Sequence, residues 1–200
     1  LEKLNCPFYK VSSFEITHLP LIKKIASTKK DMIISTGMAS LSEIGEAYKV
    51  AKKNGAKNIT LLYCVSNYPS KIDDFNLTNI KILKKKFKCT IGLSDHSNDN
   101  IVANLALSLG AEVFEKHIAL GNVKSLDSNF SLSGKEIFNY RNSIDNAFKL
   151  LQKKKSYFVS KGELKNRKFR RSIFAVKKIK KGDVFTINNI RIIRPSNGLE

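Results

Sequence analysis

The sequence predicts an α/β fold, in which helices cover a parallel sheet, followed by the start of a small β-rich domain. Three observations support this prediction. Short apolar runs alternate with segments of helical periodicity along most of the chain. The runs are rich in Ile, Val and Leu and lack polar alternation, which is typical of strands covered on both faces. With 200 residues, the chain can form one core and part of a second.

Five apolar runs are predicted as strands. They are residues 8–15, 31–38, 58–66, 89–96 and 111–118. Five strands with helical returns fit the later part of an eight-stranded (β/α) TIM barrel, so about three strands are expected before residue 1. An open doubly wound sheet is the alternative, although no GxGxxG or phosphate-binding loop motif supports its nucleotide-binding version.

Helical segments fill the gaps between these strands. The predicted helices are residues 40–55, 75–87, 98–110 and 133–152. Ser40 and Glu43 have the spacing of a capping box, and Gly55 is placed to end the same helix. Ser133 and Glu136 indicate a second capping box at the start of the last helix.

The composition changes after residue 152, which sets the predicted domain organisation. Residues 1–152 are assigned to the barrel, and the basic stretch 153–171 is predicted as a linker because it lacks a clear period. Residues 172–200 are β-rich, with a Lys-Gly-Asp turn, and are predicted to begin a small β domain. Open strand edges predict that residues 1–200 alone are poorly soluble and inactive.

Composition limits the possible partners and the compartment. The net charge is +19, but only 6 of the 36 basic residues are Arg. Bidentate recognition of bases and phosphates favours Arg, so the lysine excess indicates codon bias, and no nucleic-acid partner is predicted. No apolar run reaches the ~18 residues of a membrane span. The 3 cysteines are scattered, which predicts reduced thiols in a cytoplasmic protein.

Two of the 3 histidines, His96 and His117, follow the last two predicted strands. The carboxyl ends of parallel strands meet at one edge, so the imidazoles are expected to converge. Two imidazoles leave an open coordination shell, which suits a Lewis-acid cation better than structural zinc. The predicted cation is Mn²⁺, with Mg²⁺ or Co²⁺ as alternatives. A structural role for each histidine is the competing interpretation.

Other polar residues at these strand ends suggest an anion site. Lys10 lies inside a predicted strand, where a charge needs a partner. With the hydroxyls of Ser13 and Ser94, Lys10 is predicted to hold a phosphate or carboxylate. An ion pair with Glu15 or Asp95 is the structural alternative, and Glu15 is also a candidate general base.

The motifs KVSSFE, ISTGM, YCVSNYP, GLSDH and EKH occur in the order and at about the spacing of the sialic acid synthase family, which the whole chain resembles. Members of that family condense phosphoenolpyruvate with an amino-sugar aldehyde to form nine-carbon keto acids. Residues 169–198 resemble the opening of the family's C-terminal antifreeze-like (SAF) domain. The resemblance therefore implies a transferase that acts as a domain-swapped homodimer.

The resemblance also implies roles for individual residues. It matches His96 and His117 to the metal ligands and Glu15 to the catalytic carboxylate. Phosphoenolpyruvate contacts are implied for Lys10, Ser13, Ser66 and Ser94. Sugar contacts are implied for Tyr68, Asp127 and Arg194, the last delivered to the active site of the partner subunit.

Two features resemble the pseudaminic acid synthases within the family. These are the Phe14-Glu15 pair and the DSNFSL segment, residues 127–132. The implied sugar is 2,4-diacetamido-2,4,6-trideoxy-L-altrose; N-acetylneuraminate and legionaminic acid synthases are the alternatives. The sequence departs from the family pattern at four positions near the sugar pocket: Val65, Ile118, Ala119 and Leu126.

Three interpretations outside this activity stay open at the level of sequence. A barrel aldolase would form a Schiff base on Lys10. A degenerate fragment would keep the motifs without the activity. A basic binding module would hold RNA through its lysines, and its affinity would fall steeply with salt.

Overall fold

The structure is a computed structural model that describes residues 2–121, 124–152 and 156–199. The chain divides into two compact units between residues 153 and 154. The predicted start of the linker, at residues 153–155, lies outside the described residues.

The first unit is built on a five-stranded parallel sheet, which confirms the predicted α/β class. Its strands are β1 (Phe8–Val11), β2 (Asp31–Ser35), β3 (Ile59–Cys64), β4 (Thr90–Asp95) and β5 (Val113–Lys116). Each strand pairs with the next one along the chain, so spatial order equals sequence order. Every strand ends before its predicted segment does, and the polar residues left over form the loops at the carboxyl edge.

A helix follows each strand in this unit. The helices are α1 (Leu19–Ala26), α2 (Leu41–Lys53), α3 (Asn79–Phe87), α4 (Asn100–Ser108) and α5 (Lys135–Leu151). The sequence did not predict α1. It has 8 residues, its N-cap His18 makes no side-chain capping bond, and Pro20 lies in its first turn. None of these is a strong start signal for so short a helix.

The two predicted capping boxes have different outcomes. Ser40 caps α2 as predicted. Its Oγ accepts a hydrogen bond from the Glu43 N–H, and its own N–H donates to the Glu43 carboxylate. Glu136 accepts from the Ser133 N–H at 2.9 Å, but α5 begins only after Gly134, which is its N-cap. The Ser133 prediction was therefore wrong by one residue at the helix boundary.

The core lies between one face of the sheet and the helices. Strand residues such as Ile34, Leu61 and Leu93 are fully buried there against helix residues such as Ala47 and Ala103. Side chains alternate between the two faces of a strand, so the residues next to these point to the opposite face. That second face is where the polar strand residues meet.

An ion pair shows that the sheet is curved. Lys10 Nζ of β1 lies 3.1 Å from Glu115 Oε1 of β5. Four strand spacings of about 4.8 Å separate β1 from β5 in a flat sheet, farther than two such side chains reach. Lys10 and Glu115 therefore project from a concave face, as expected for consecutive strands of a barrel wall.

The second unit contains α6 (Lys161–Lys165) and a pair of antiparallel strands, β6 (Ser172–Ala175) and β7 (Ile190–Ile193). A 3₁₀ turn at Asn166–Phe169 follows α6. About half of the predicted linker is therefore helical. The two helical segments are too short to show a hydrophobic periodicity in the sequence. The β-rich prediction for the last residues corresponds to one strand pair, and the SAF assignment stays a prediction.

Two further observations concern membrane-spanning helices and the cysteines. Among the described residues, no helix is both long and apolar enough to cross a membrane. Cys6, Cys64 and Cys89 are all free thiols. Burial raises the pKa of Cys64, which disfavours thiolate chemistry at that position.

Gly92 of β4 generates a stability prediction. An added Cβ would lie 2.3 Å from the Val113 carbonyl oxygen and 2.5 Å from Leu62 Cδ2. We expect Gly92→Ala to lower the free energy of unfolding by about 1–3 kcal/mol because a backbone atom must move. The measurement is urea unfolding of the complete gene product.

Gly45→Ala is the matched control. Gly45 lies within α2, and the nearest atom to an added Cβ, Phe87 Cε1, is 4.0 Å away. Alanine is favoured over glycine in a helix by roughly 0.5–1 kcal/mol, so this variant should be more stable than the parent. Equal effects of the two substitutions would contradict the packing described for Gly92.

Candidate active site

The candidate site lies on the concave face at the carboxyl ends of the strands. His96 follows β4 directly and His117 follows β5 directly. The centroids of the two imidazole rings are 5.3 Å apart, with an angle of 66° between the ring planes. The structure therefore brings together the two histidines that the sequence paired.

Hydrogen bonding defines the orientation of His96. Its Nδ1 lies 2.8 Å from the Val65 carbonyl oxygen. A carbonyl only accepts, so Nδ1 carries the proton and Nε2 of the neutral ring keeps a free lone pair. His96 is 3% exposed, and burial lowers its pKa, an effect that the bond to Val65 partly opposes. The ring is thus held neutral, with a donor atom available for a ligand.

His117 is oriented by a carboxylate. Its Nδ1 lies 3.4 Å from Asp127 Oδ2. The Leu132 N–H donates to the His117 carbonyl at 2.9 Å and so fixes the DSNFSL segment beside it. A carboxylate on one nitrogen of an imidazole directs the other nitrogen toward a metal. Asp127, predicted as a sugar contact, is placed here as a partner of His117.

Two aromatic rings pack against the histidines. The Tyr68 ring lies 4.2 Å from His96, and the Phe130 ring lies 4.9 Å from His117, centroid to centroid. Tyr68 and Phe130 are 5.2 Å apart, and Phe130 is only 4% exposed. Together the four residues form an aromatic cluster. Phe130 lies in the DSNFSL segment, but no local sequence signal distinguishes its side chain as part of the site.

The donor set fits a divalent cation with an open shell. His96 and His117 offer two imidazole nitrogens from adjacent strand ends. Within the described ranges, no group of three or more His, Cys, Asp and Glu side chains is arranged to hold a metal. Two donors leave coordination positions for water and substrate oxygens, whereas a structural zinc site has four protein ligands.

Ser13 and Ser66 meet at the other side of the site. Their hydroxyl oxygens are 2.9 Å apart, although the residues follow β1 and β3. Gly37, with φ of +47°, makes this approach possible: an added Cβ would lie 2.4 Å from Ser13 Cβ and 2.6 Å from Ser66 Oγ. The glycine of the ISTGM motif is therefore required by close packing.

Lys10, Glu115 and Ser94 form a connected polar chain on the same face. Ser94 Oγ donates to Glu115 Oε1 at 2.7 Å, and the same carboxylate oxygen pairs with Lys10 at 3.1 Å. The structural alternative was an ion pair of Lys10 with Glu15 or Asp95; Lys10 is ion-paired, but its partner is Glu115, so both proposed partners were wrong. The curvature that brings β5 opposite β1 is not encoded locally, although the EKH motif contains Glu115.

Ser35 is a buried polar residue on the same face of the sheet. It ends β2 on the concave face, in alternation with Ile33, whose partner is Lys10. Its side chain is 2% exposed, and its Oγ has no hydrogen-bond partner among the described residues. A buried hydroxyl without a partner lowers the stability of the fold, and a ligand would reach it only if the surrounding side chains moved.

Three residues singled out in the sequence are exposed, and none of the contacts described above involves them. Glu15 is exposed and accepts a hydrogen bond from Ser12. Phe14, its neighbour, is also exposed. Arg194 is exposed at the end of β7 in the second unit. Their assigned roles stay predictions.

Comparisons with known proteins give consistent results. The family model described as NeuB family matches residues 1–156. A pseudaminic acid synthase of Helicobacter pylori is 40% identical over 200 residues, covering 100% of this chain and 59% of that protein. An N,N'-diacetyllegionaminic acid synthase of Campylobacter jejuni is 42% identical over 205 residues, covering 100% of this chain and 60% of that protein.

A solved structure has the same fold. The N-acetylneuraminic acid synthetase of Leptospira borgpetersenii, crystallised with citrate, superposes with a TM-score of 0.75 at 31% identity. The match covers 83% of this chain and 58% of that one. The chain thus spans about 60% of the length of the relatives it matches.

The lowered pKa of His96 predicts a pH dependence. We expect its Cε1–H NMR resonance, identified by its loss in His96→Gln, to titrate below the ordinary value of about 6.5. The unfolded chain then binds more protons than the folded one between the two pKa values. The free energy of unfolding therefore falls as pH drops through that window. A midpoint at or above 6.5 would contradict the buried, neutral ring.

Proposed function

The chain belongs to the NeuB family, whose model matches residues 1–156, and on that basis we propose that it forms the core of a phosphoenolpyruvate-dependent nonulosonic acid synthase. The enzyme would condense phosphoenolpyruvate with an amino-sugar aldehyde and release phosphate. One observation carries the proposal: the paired histidines share a concave face with the polar chain Lys10–Glu115–Ser94.

Phosphoenolpyruvate is proposed to bind at the polar end of the site. Lys10 would attract its negative charge, and a phosphate or carboxylate would compete with Glu115 for the ammonium group. Ser13, Ser66 and Ser94 would donate hydroxyl hydrogen bonds to the same ligand.

The metal site is proposed to consist of His96 and His117. The cation, with Mn²⁺ proposed first and Mg²⁺ or Co²⁺ as alternatives, supplies Lewis-acid polarisation of the aldehyde oxygen when bound. Val65 and Asp127 orient the two imidazoles through their Nδ1 atoms. The rings of Tyr68 and Phe130 pack against them.

The bond changes are consistent with this placement. C3 of phosphoenolpyruvate forms a bond to the aldehyde carbon, and cationic character develops at C2. Water adds at C2, and phosphate departs by cleavage of its C–O bond. Glu15 is proposed to activate that water or to relay its proton. Holding both reactants on one rigid face supplies much of the rate.

The proposed sugar is 2,4-diacetamido-2,4,6-trideoxy-L-altrose, which makes the activity that of a pseudaminic acid synthase. Phe14 and the DSNFSL segment support this choice, and Phe130 of that segment provides an apolar wall beside His117. Legionaminic acid synthase is the second candidate, because a synthase of that specificity is 42% identical. A domain-swapped homodimer, with Arg194 delivered by the partner subunit, completes the proposal.

Loss of either metal ligand should abolish most of the activity. We expect His96→Ala and His117→Ala each to lower kcat at least ~100-fold, since Lewis-acid activation supplies several kcal/mol. A chelator should inactivate the complete gene product, and Mn²⁺, Co²⁺ or Mg²⁺ should restore it. The measurement is phosphate release with saturating substrates.

His18→Ala is the matched control for these variants. His18 is exposed, and its side chain makes no capping bond to α1. This variant should therefore retain the parent's activity. Full activity in the His96→Ala/His117→Ala double variant would show that the metal proposal is wrong.

Sugar specificity can be tested separately. The complete gene product should use the diacetamido trideoxy altrose with a higher kcat/KM than N-acetylmannosamine, because the latter lacks the apolar 6-methyl group. Filling a hydrophobic site with one such group is worth about 10–200-fold. Side-by-side assays at equal phosphoenolpyruvate concentration measure the ratio. A preference for N-acetylmannosamine would assign the enzyme to the neuraminate synthases.

A further inference from the structure

A second polar group lies behind the histidines, on the helix-covered face of the sheet. Asp95, Ser97, Lys116 and Tyr140 form it, and together they are named the Asp95 cluster. Asp95 is 1% exposed, and the Lys116 side chain is 7% exposed. Asp95 Oδ2 lies 3.5 Å from Lys116 Nζ and accepts from Tyr140 Oη at 3.0 Å.

Two residues of the Asp95 cluster are next to the histidines in the chain. Asp95 immediately precedes His96, and Lys116 immediately precedes His117. In the register of the sheet, Asp95 and Lys116 are direct partners across β4 and β5. Successive strand residues point to opposite faces, so the ion pair behind the sheet aligns the two residues whose neighbours are the imidazoles in front.

The cluster also closes the turn that contains His96. Asp95 Oδ1 accepts from the N–H of Ser97 at 2.8 Å and from its Oγ at 2.7 Å. Lys116 donates to the Ser97 carbonyl oxygen. The backbone of His96 is therefore held by Asp95 before it and by Ser97 after it. Both of these residues contact Lys116. Tyr140 ties the same carboxylate to α5.

We propose that Asp95 and Lys116 are positioning residues that set the separation and orientation of His96 and His117, and through them the affinity of the metal site. The inference rests on the proposed metal-dependent function. A buried ion pair contributes little net stability compared with apolar residues of similar size, so its main effect is expected in geometry. Mutation of residues that orient the ligands of a metal typically lowers the metal affinity by 10–100-fold.

The test is Mn²⁺ affinity, measured by the EPR signal of free Mn²⁺ during titration of the complete gene product. Lys116→Met keeps an unbranched side chain of nearly the same length and removes its charge. We expect its Mn²⁺ dissociation constant to rise at least 10-fold. The affinity is compared well below the melting temperature of each variant. A purely structural role would lower that temperature and leave the affinity of the folded protein unchanged.

Lys84→Met is the matched control. Lys84 also pairs with a carboxylate beside β5, at 2.7 Å from Glu112, but both side chains are about half exposed. The same substitution there removes an exposed ion pair without touching the Asp95 cluster. Its Mn²⁺ affinity should equal that of the parent.

If Lys116→Met does not fold, a milder variant tests the positioning role. Tyr140→Phe removes one hydrogen bond from Asp95 and keeps the ring in place. We expect it to weaken Mn²⁺ binding about fivefold, the effect of one hydrogen bond on an equilibrium. Parent-like affinity in Tyr140→Phe, or in folded Lys116→Met, would overturn the inference.

The His96→Ala/His117→Ala double variant separates the two proposals. If the parent binds no Mn²⁺, or the double variant binds it equally well, the metal site fails and the positioning role fails with it. If binding depends on the histidines but not on Lys116 or Tyr140, only the positioning role fails. Binding that depends on all of them supports both.

Discussion

The curvature of the sheet is the constraint on which the site depends. Lys10 and Glu115 come from strands at opposite ends of the five-stranded order, yet their charged atoms are 3.1 Å apart. The same bend lets Ser13, which follows β1, reach Ser66, which follows β3. A flat sheet would spread these groups along an edge about 19 Å wide, and no small ligand could contact them together.

Because side chains alternate along a strand, each strand end presents one residue to the concave face and the next residue to the helices. On β4 and β5, Ser94 and Glu115 face the concave side, while Asp95 and Lys116 face the helices. The concave side carries groups suited to ligands, and the covered side carries a buried ion pair that ties strands and turn together. Short motifs such as GLSDH and EKH therefore contain both the functional group and its support.

The sequence predicted the features that local patterns encode. It located the five strands, the Ser40 cap and the pairing of His96 with His117. It did not predict α1, the Lys10–Glu115 pair or the contact between Asp127 and His117. The first lacks a start signal, and the other two depend on how distant segments meet in space. The empty hydrogen-bonding capacity of Ser35 likewise becomes visible only when its burial is known.

The site has two chemically different halves, which correspond to the two substrates proposed. Lys10 and the serine hydroxyls make one half polar, with an ammonium group that an anionic enol phosphate can share with Glu115. Tyr68 and Phe130 give the other half an apolar surface, which suits the methyl group of the proposed deoxy sugar. The halves meet where Ser94 Oγ lies 3.4 Å from His96 Nε2. A bond between the two proposed substrates would therefore form beside His96 Nε2, the nitrogen that stays unprotonated while Nδ1 donates to Val65.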